Sequence, residues 1–166
     1  MPIAIVKFFL ALICIAAVAS TAFAAEPSRL AIAGFDFRDT SGEVRDQVAL
    51  HEARLKAFGA TLHDALAGNP KIRLVPLACG ADPCTPRKSG LDSLSAKAKT
   101  DGTRYLLVGE VHKMSTLVGW VKFAVLDLDE NKPVCDRTLT YRGDTDEAWR
   151  RAADFAAHDI EKNCIP

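Results

Sequence analysis

Apolar residues recur in this chain at two spacings, and the switches between them mark out its elements. Residues 29–37 form an apolar run built on Leu30, Ile32, Phe35 and Phe37. It predicts a first strand whose phase slips near Gly34, as at a β-bulge. The polar stretch Asp39-Thr40-Ser41-Gly42-Glu43 predicts a turn carrying possible helix caps. Val44, Val48, Leu55, Phe58, Leu62 and Leu66 then repeat at helical intervals, predicting a long amphipathic helix stopped by Gly68-Asn69-Pro70. Ile72, Leu74 and Leu77 predict a second strand, and Pro76 marks where its pairing stops. A loop at about 78–88 follows, then a short helix on Leu91, Leu94 and Ala98 that ends at Asp101-Gly102. Tyr105-Leu106-Leu107-Val108 is nearly continuous apolar sequence, as in a central strand covered on both faces, and it runs on to about Lys113. Residues 117–128 predict another strand, and Asp129-Glu130-Asn131-Lys132-Pro133 a turn. Residues 134–141 are more polar, which places that strand nearer an edge. Trp149, Ala153, Ala156 and Ile160 share one face of a last helix.

The order is β-α-β-α-β-β-β-α. Its first half suits helical crossovers and its second half antiparallel hairpins. The expected fold is α/β (α+β), a single mixed sheet of about five strands packed by helices. Residues 1–24 read as a cleavable secretory signal: Lys7, an apolar core over 8–18, and Ala22-Phe23-Ala24 as the cleavage shape. That core is too short for an ordinary membrane span. The expectation is a periplasmic or secreted single domain over 25–166, with no stable membrane insertion after cleavage. Cys14 lies within the signal core behind Ile13, so it is not placed for a lipid anchor.

Export changes how the cysteines read. Cys79, Cys84, Cys135 and Cys164 remain after cleavage, and an oxidising compartment predicts two disulfides with three possible pairings. Cys79–Cys84 is preferred because Gly80 and Pro83 can turn the short loop; Cys135–Cys164 would then tie the last helix to a strand. Charge is balanced, with 21 Lys plus Arg against 21 Asp plus Glu. That balance argues against nucleic acid, which demands a basic face, and against general attraction to anionic lipid.

Several short motifs carry chemistry in other settings. Asp39-Thr40-Ser41-Gly42 approaches an aspartic-protease loop, but Ser41 stands where that triplet needs glycine, and a helix start is the plainer reading. Asp127-Leu128-Asp129-Glu130-Asn131 opens like a calcium loop, yet Lys132 and Thr138 occupy the places of its Gly and bidentate Glu, so a hairpin turn is expected. Arg142-Gly143-Asp144-Thr145-Asp146-Glu147 reads as a helix start capped by Asp144 or Thr145. Glu110 and Lys122 lie on neighbouring strands and are candidates to pair. His51, His63, His112 and His158 show no metal spacing, and Cys79–Cys84 lacks the two-residue spacing of thioredoxin-like pairs. No metal or cofactor is expected.

Three segments carry a family resemblance: Phe35-x-Phe37-x-Asp39-Thr40-Ser41, Gly109-x-Val111-x-Lys113-x-Ser115 and Arg142-Gly143-Asp144-Thr145-Asp146-x-x-Trp149. The chain resembles a group of small predicted secreted bacterial proteins classed as a domain of unknown function. More loosely, the strand ending near Phe37 and the segment 102–111, followed by a hairpin with Leu126-Asp127, resemble the TolB amino-terminal domain and the curli-secretion lipoprotein domain. That resemblance implies a fold and a binding role toward envelope components. The expected function is therefore a non-enzymatic binding or adaptor module for an envelope or secreted protein. Asp39, Thr40 and Ser41 are the candidate small-ligand residues, since α/β sites form beyond strand carboxyl ends. Arg142, Asp144, Asp146 and Trp149 are the candidate partner residues. The rival is an accessory factor or enzyme of a periplasmic oxidoreductase system, which would need a pocket gathering Glu110, His112 or Asp39.

Overall fold

The computed structural model describes residues 26–80 and 83–165; the expected signal at 1–24 lies outside the described residues. The strands are β1 (Ser28–Ile32), β2 (Asp36–Asp39), β3 (Ile72–Leu74), β4 (Tyr105–Lys113), β5 (Val118–Asp127) and β6 (Lys132–Arg142). The helices are α1 (Val48–Ala67), α2 (Pro86–Ser89), α3 (Leu91–Thr100) and α4 (Asp146–Asn163). They build the expected mixed sheet, ordered β3-β1-β4-β5-β6, with β2 also paired to β4. β1, β2 and β3 run parallel to their neighbours, as helical crossovers require, and β4-β5-β6 is an antiparallel meander.

The six strand segments follow from the slip at Gly34. Both β1 and β2 lie along β4, and four steps from Ile32 to Asp36 oppose three from Leu107 to Glu110. One extra residue is therefore bulged out, and it divides one strand into two. Gly34 donates its N–H to the carbonyl of Cys84 at 2.8 Å. A methyl at Gly34 would stand 3.1 Å from both Pro83 Cβ and Thr85 Cγ2, so the bulge and the Cys79–Cys84 loop need each other's close approach.

Helices α1 and α4 pack together on one face of the sheet, over Tyr105, Leu107, Val111, Val121, Phe123 and Val125. The inward stripe of α4 is mostly alanine, with Trp149 and Ile160 as its large members, and small side chains let it lie close to the sheet. α3 covers the other face only over Ala31, Leu106 and Leu128, through Leu94 and Ala98. The same face of β4, β5 and β6 is open beyond that. Both disulfides form as preferred: Cys79–Cys84 closes its loop and Cys135–Cys164 joins β6 to the end of α4.

Three local expectations change and one holds. α1 starts at Val48 instead of Val44, which is fully exposed in the preceding loop. Val48 is exposed too, and the inward stripe runs through His51, Phe58, Leu62 and Leu66. The helix phase is thus set by a histidine that an apolar count passes over. α2 was not expected; Thr85 caps it by accepting from Lys88 N at 3.3 Å, and Pro86 sits where its missing N–H costs nothing. Glu110 and Lys122 do face each other across β4 and β5, but the Glu110 carboxylate binds Arg38 and Arg87 instead. The Asp127 turn is a hairpin, with Asp127 Oδ1 accepting from the N–H groups of Asp129 and Glu130.

Candidate functional site

Alternation along β4 sends Val111 and Lys113 to the helix side and Glu110 and His112 to the open side. Lys113, at the strand's carboxyl end, therefore points under α1 and α4, and its side chain is 2 % exposed. An ammonium in that position must be paired to be tolerated. Its Nζ lies 2.9 Å from Asp144 Oδ2, 3.8 Å from Asp39 Oδ2 and 3.3 Å from Gln47 Oε1, and it is also hydrogen bonded to Glu43. Burial would lower the Lys113 pKa, but Glu43 and Asp144 outweigh it and the net movement is upward, so the group is charged at neutral pH.

Asp144 is the hub. Its Oδ1 accepts from Trp149 Nε1 at 3.0 Å and Arg54 Nη1 at 2.9 Å, while Oδ2 accepts from His51 Nε2 at 3.0 Å and from Lys113. Four donors fill the acceptor places of a carboxylate. Burial would raise its pKa, but the hydrogen bonds from His51, Lys113 and Trp149 outweigh that and bring it to about 2. Such a carboxylate is locked as an anion and is unsuited to carrying a proton. Next to it, Thr145 caps α4 by accepting from Ala148 N at 3.2 Å. Of the two expected caps, Thr145 takes the helix and Asp144 is left for the network. Phe37, His51 and Trp149 pack as an aromatic wall beside it, with ring centroids 4.9–6.0 Å apart.

Asp39 and Asp144, drawn from two separate sequence candidates, thus meet at one ammonium. Asp39 Oδ1 also accepts from Ser41 N at 2.8 Å; burial acts to raise its pKa, but Ser41 and Lys113 hold it below the usual carboxylate range. Thr40 leaves this group and shares a hydrogen bond of 2.8 Å with His112 Nε2 near the open face. Asp146 binds Arg54 Nε at 2.8 Å, and Arg142 is exposed at the end of β6, outside the network. Trp149 is 1 % exposed, so it offers no surface of its own; its part is to hold Asp144. Lys113, Glu43, His51 and Arg54 were not among the candidates. Two of them carried a signal: Lys113 stands in the segment Gly109-x-Val111-x-Lys113-x-Ser115, and His51 is in phase with Leu55, Phe58 and Leu62.

A cleft of about 860 Å³ opens beside this network, between the start of α1, the β4–β5 turn and the start of α4. Glu43, Arg54 and Asp144 form part of its wall, and the exposed apolar residues Val48, Leu50 and Leu117 line it. Its charged lining is mixed, with Arg45, Asp46 and Glu52. Glu110, His112 and Asp39 do not line it. The first two belong to the open face, where Glu110 is clasped by Arg38 and Arg87, each at 2.7 Å. Among the described residues no group of three or more His, Cys, Asp or Glu side chains is arranged to hold a metal ion.

The three segments that carried the family resemblance all contribute to this one region: Phe37 and Asp39, then Lys113, then Asp144 and Trp149. A family model matches residues 28–160. The chain belongs to the DUF3280 family. Its description is "Protein of unknown function (DUF2380)". No curated protein matches this DUF3280 sequence. Among solved structures, this chain is similar to TolB from Acinetobacter baumannii, at 12% identity and a TM-score of 0.52, over 83% of this chain and 28% of that one. It is similar to the PelC dodecamer from Paraburkholderia phytofirmans, at 15% identity and a TM-score of 0.50, over 84% and 89% of the two chains. The LpoB C-terminal domain from Salmonella enterica aligns at 16% identity and a TM-score of 0.46, over 72% and 85%. For TolB and PelC the likeness is one of fold, and the TolB match agrees with the resemblance read from the sequence.

Proposed function

We propose that this DUF3280 chain is an exported, non-enzymatic binding module of the cell envelope. A segment of a partner protein would dock in the cleft beside Asp144. The carrying observation is the cleft itself: a wall fixed by the Lys113–Asp144 network, with Val48, Leu50 and Leu117 exposed around it. Isolated apolar residues on a surface mean little, but several lining one concavity provide burial for a partner's side chain. Mixed charge around them suits a protein segment better than nucleic acid, which calls for a basic surface. The saturated Asp144 favours binding over proton transfer. Two disulfides and the signal-like residues 1–24 support an oxidising location. Among the described residues no helix is long and apolar enough to cross a membrane.

In this reading Asp39, Thr40 and Ser41 shape the turn that brings Glu43 to Lys113, and Asp144 and Asp146 set the orientation of Arg54 at the cleft wall. The test is site-specific photocrosslinking in intact cells. A probe at Val48 or Leu117 should give a discrete adduct with one partner, and the same probe at Lys162, on the far end of α4, should not. Introducing Leu50→Glu should remove the adduct. Equal labelling at all three positions, or none at Val48 and Leu117, overturns the proposal.

A further inference from the structure

The two edges of the sheet are unlike. One ends in β3, only 3 residues long; the other is β6, with 11 residues and no neighbour on its outer side among the described residues. A long open edge presents a row of unpaired backbone donors and acceptors, and proteins that avoid pairing there break it up with bulges, prolines or inward-facing charge. In β6 the proline and the bulge are confined to its start, Pro133 and the register shift opposite Val125/Leu126, and the one charge that faces the helix side beyond them, Arg137, is paired with Asp159. The stretch 136–142 is regular throughout. Beside it, between β6 and α4, lies a small hollow of about 190 Å³ lined by Leu139, Tyr141 and Phe155, and Phe155 is 58% exposed although apolar.

We propose that a second copy of this chain pairs with β6, strand to strand and antiparallel, about a twofold axis at Leu139. A twofold axis perpendicular to the sheet sets residues opposite one another on the same face, so the axis must fall midway between the two copies of one residue. Centring on Leu139 sets Asp136 opposite Arg142 of the second copy, twice over, and Thr138 opposite Thr140. All of these lie on the open face, because their β5 neighbours are Ala124, Val118, Lys122 and Trp120. On the helix face Leu139 meets its own copy and Arg137 stands opposite Tyr141. Opposite charges and threonine pairs directly across strands each stabilise pairing by roughly 0.2–1 kcal/mol. Centring two residues earlier would set Arg137 against itself and Lys132 against Arg142, and like charges so placed oppose pairing. Asp136 and Arg142 are both exposed, and neither takes part in an ion pair among the described residues, so each is available to a partner. The Leu139-centred register would also bring the two copies of Phe155 toward the shared edge. This inference concerns a different surface from the cleft and does not depend on it.

The test is sedimentation of the oxidised protein over a concentration series, with circular dichroism to verify folding of each variant. The wild type should show a monomer–dimer equilibrium. Asp136→Arg and Arg142→Asp should each weaken it at least tenfold, and the double variant, which swaps the charges, should return to within about threefold of wild type. Hydrogen exchange of the wild type should slow over residues 136–142 as concentration rises, a readout that needs no variant. A monomer at every concentration, a dimer indifferent to both reversals, or a double variant no better than the singles overturns the proposal.

Discussion

Lys113 and Glu110 stand three positions apart on the same strand and answer to opposite rules. The Lys113 side chain is 2 % exposed beneath two helices; that of Glu110 is 25% exposed on the open face, held by arginines that are themselves more than half exposed. Each is a clustered ion: Lys113 lies among three carboxylates and Glu110 between two guanidinium groups. Water makes the difference. A charge near solvent loses little when its partner is removed, because hydration replaces the partner; a charge under α1 and α4 has no such replacement. Pleating alone assigned the two groups to these environments, so a one-residue slip in β4 would exchange them.

The sharpest way to break this comparison is Lys113→Met. Removing the ammonium leaves the mostly buried Asp144 carboxylate short of one donor beside an apolar side chain, and denaturant unfolding should show a loss of about 3–5 kcal/mol. A loss below ~1 kcal/mol would mean that water reaches the network. The next effect is on acid stability. The folded Asp144 carboxyl is held at about 2, below its ordinary 3.8, so the unfolded chain takes up a proton before the folded one does. The stability this contributes is complete above about pH 4 and is lost as pH falls toward 2. Asp144→Asn should be less stable at neutral pH and should show a shallower decline across that window; an unchanged slope would assign the acid sensitivity elsewhere. The smallest effect is expected on the open face. Glu110→Gln should cost less than about 1 kcal/mol, and the cost should shrink in high salt.

What could be read from the sequence was local. The three long helices, the polar edge strand, the Asp127 hairpin and the inward face of α4 each rest on neighbours a few residues apart, and each is present. The paired cysteines were legible because Cys84 follows Cys79 by only five positions, which leaves the other two for one another. The network was not legible as a network. Lys113 ends a strand whose last positions look solvated, and only the arrival of α4 over the sheet buries it. His51 was read only for metal spacing although it lies in phase with the buried stripe, and its partner, Asp144, is 93 positions away. Asp39 and Asp144 were singled out for separate reasons, and nothing in the spacing told that they share one cation.

Asp144 is also the last of its hydrogen-bonding set to be synthesised, apart from Trp149. His51, Arg54 and Lys113 all leave the ribosome earlier, so the cations wait for the anion that fastens α1, β4 and α4 together. Until Asp144 is made, the segments before it lack this clasp.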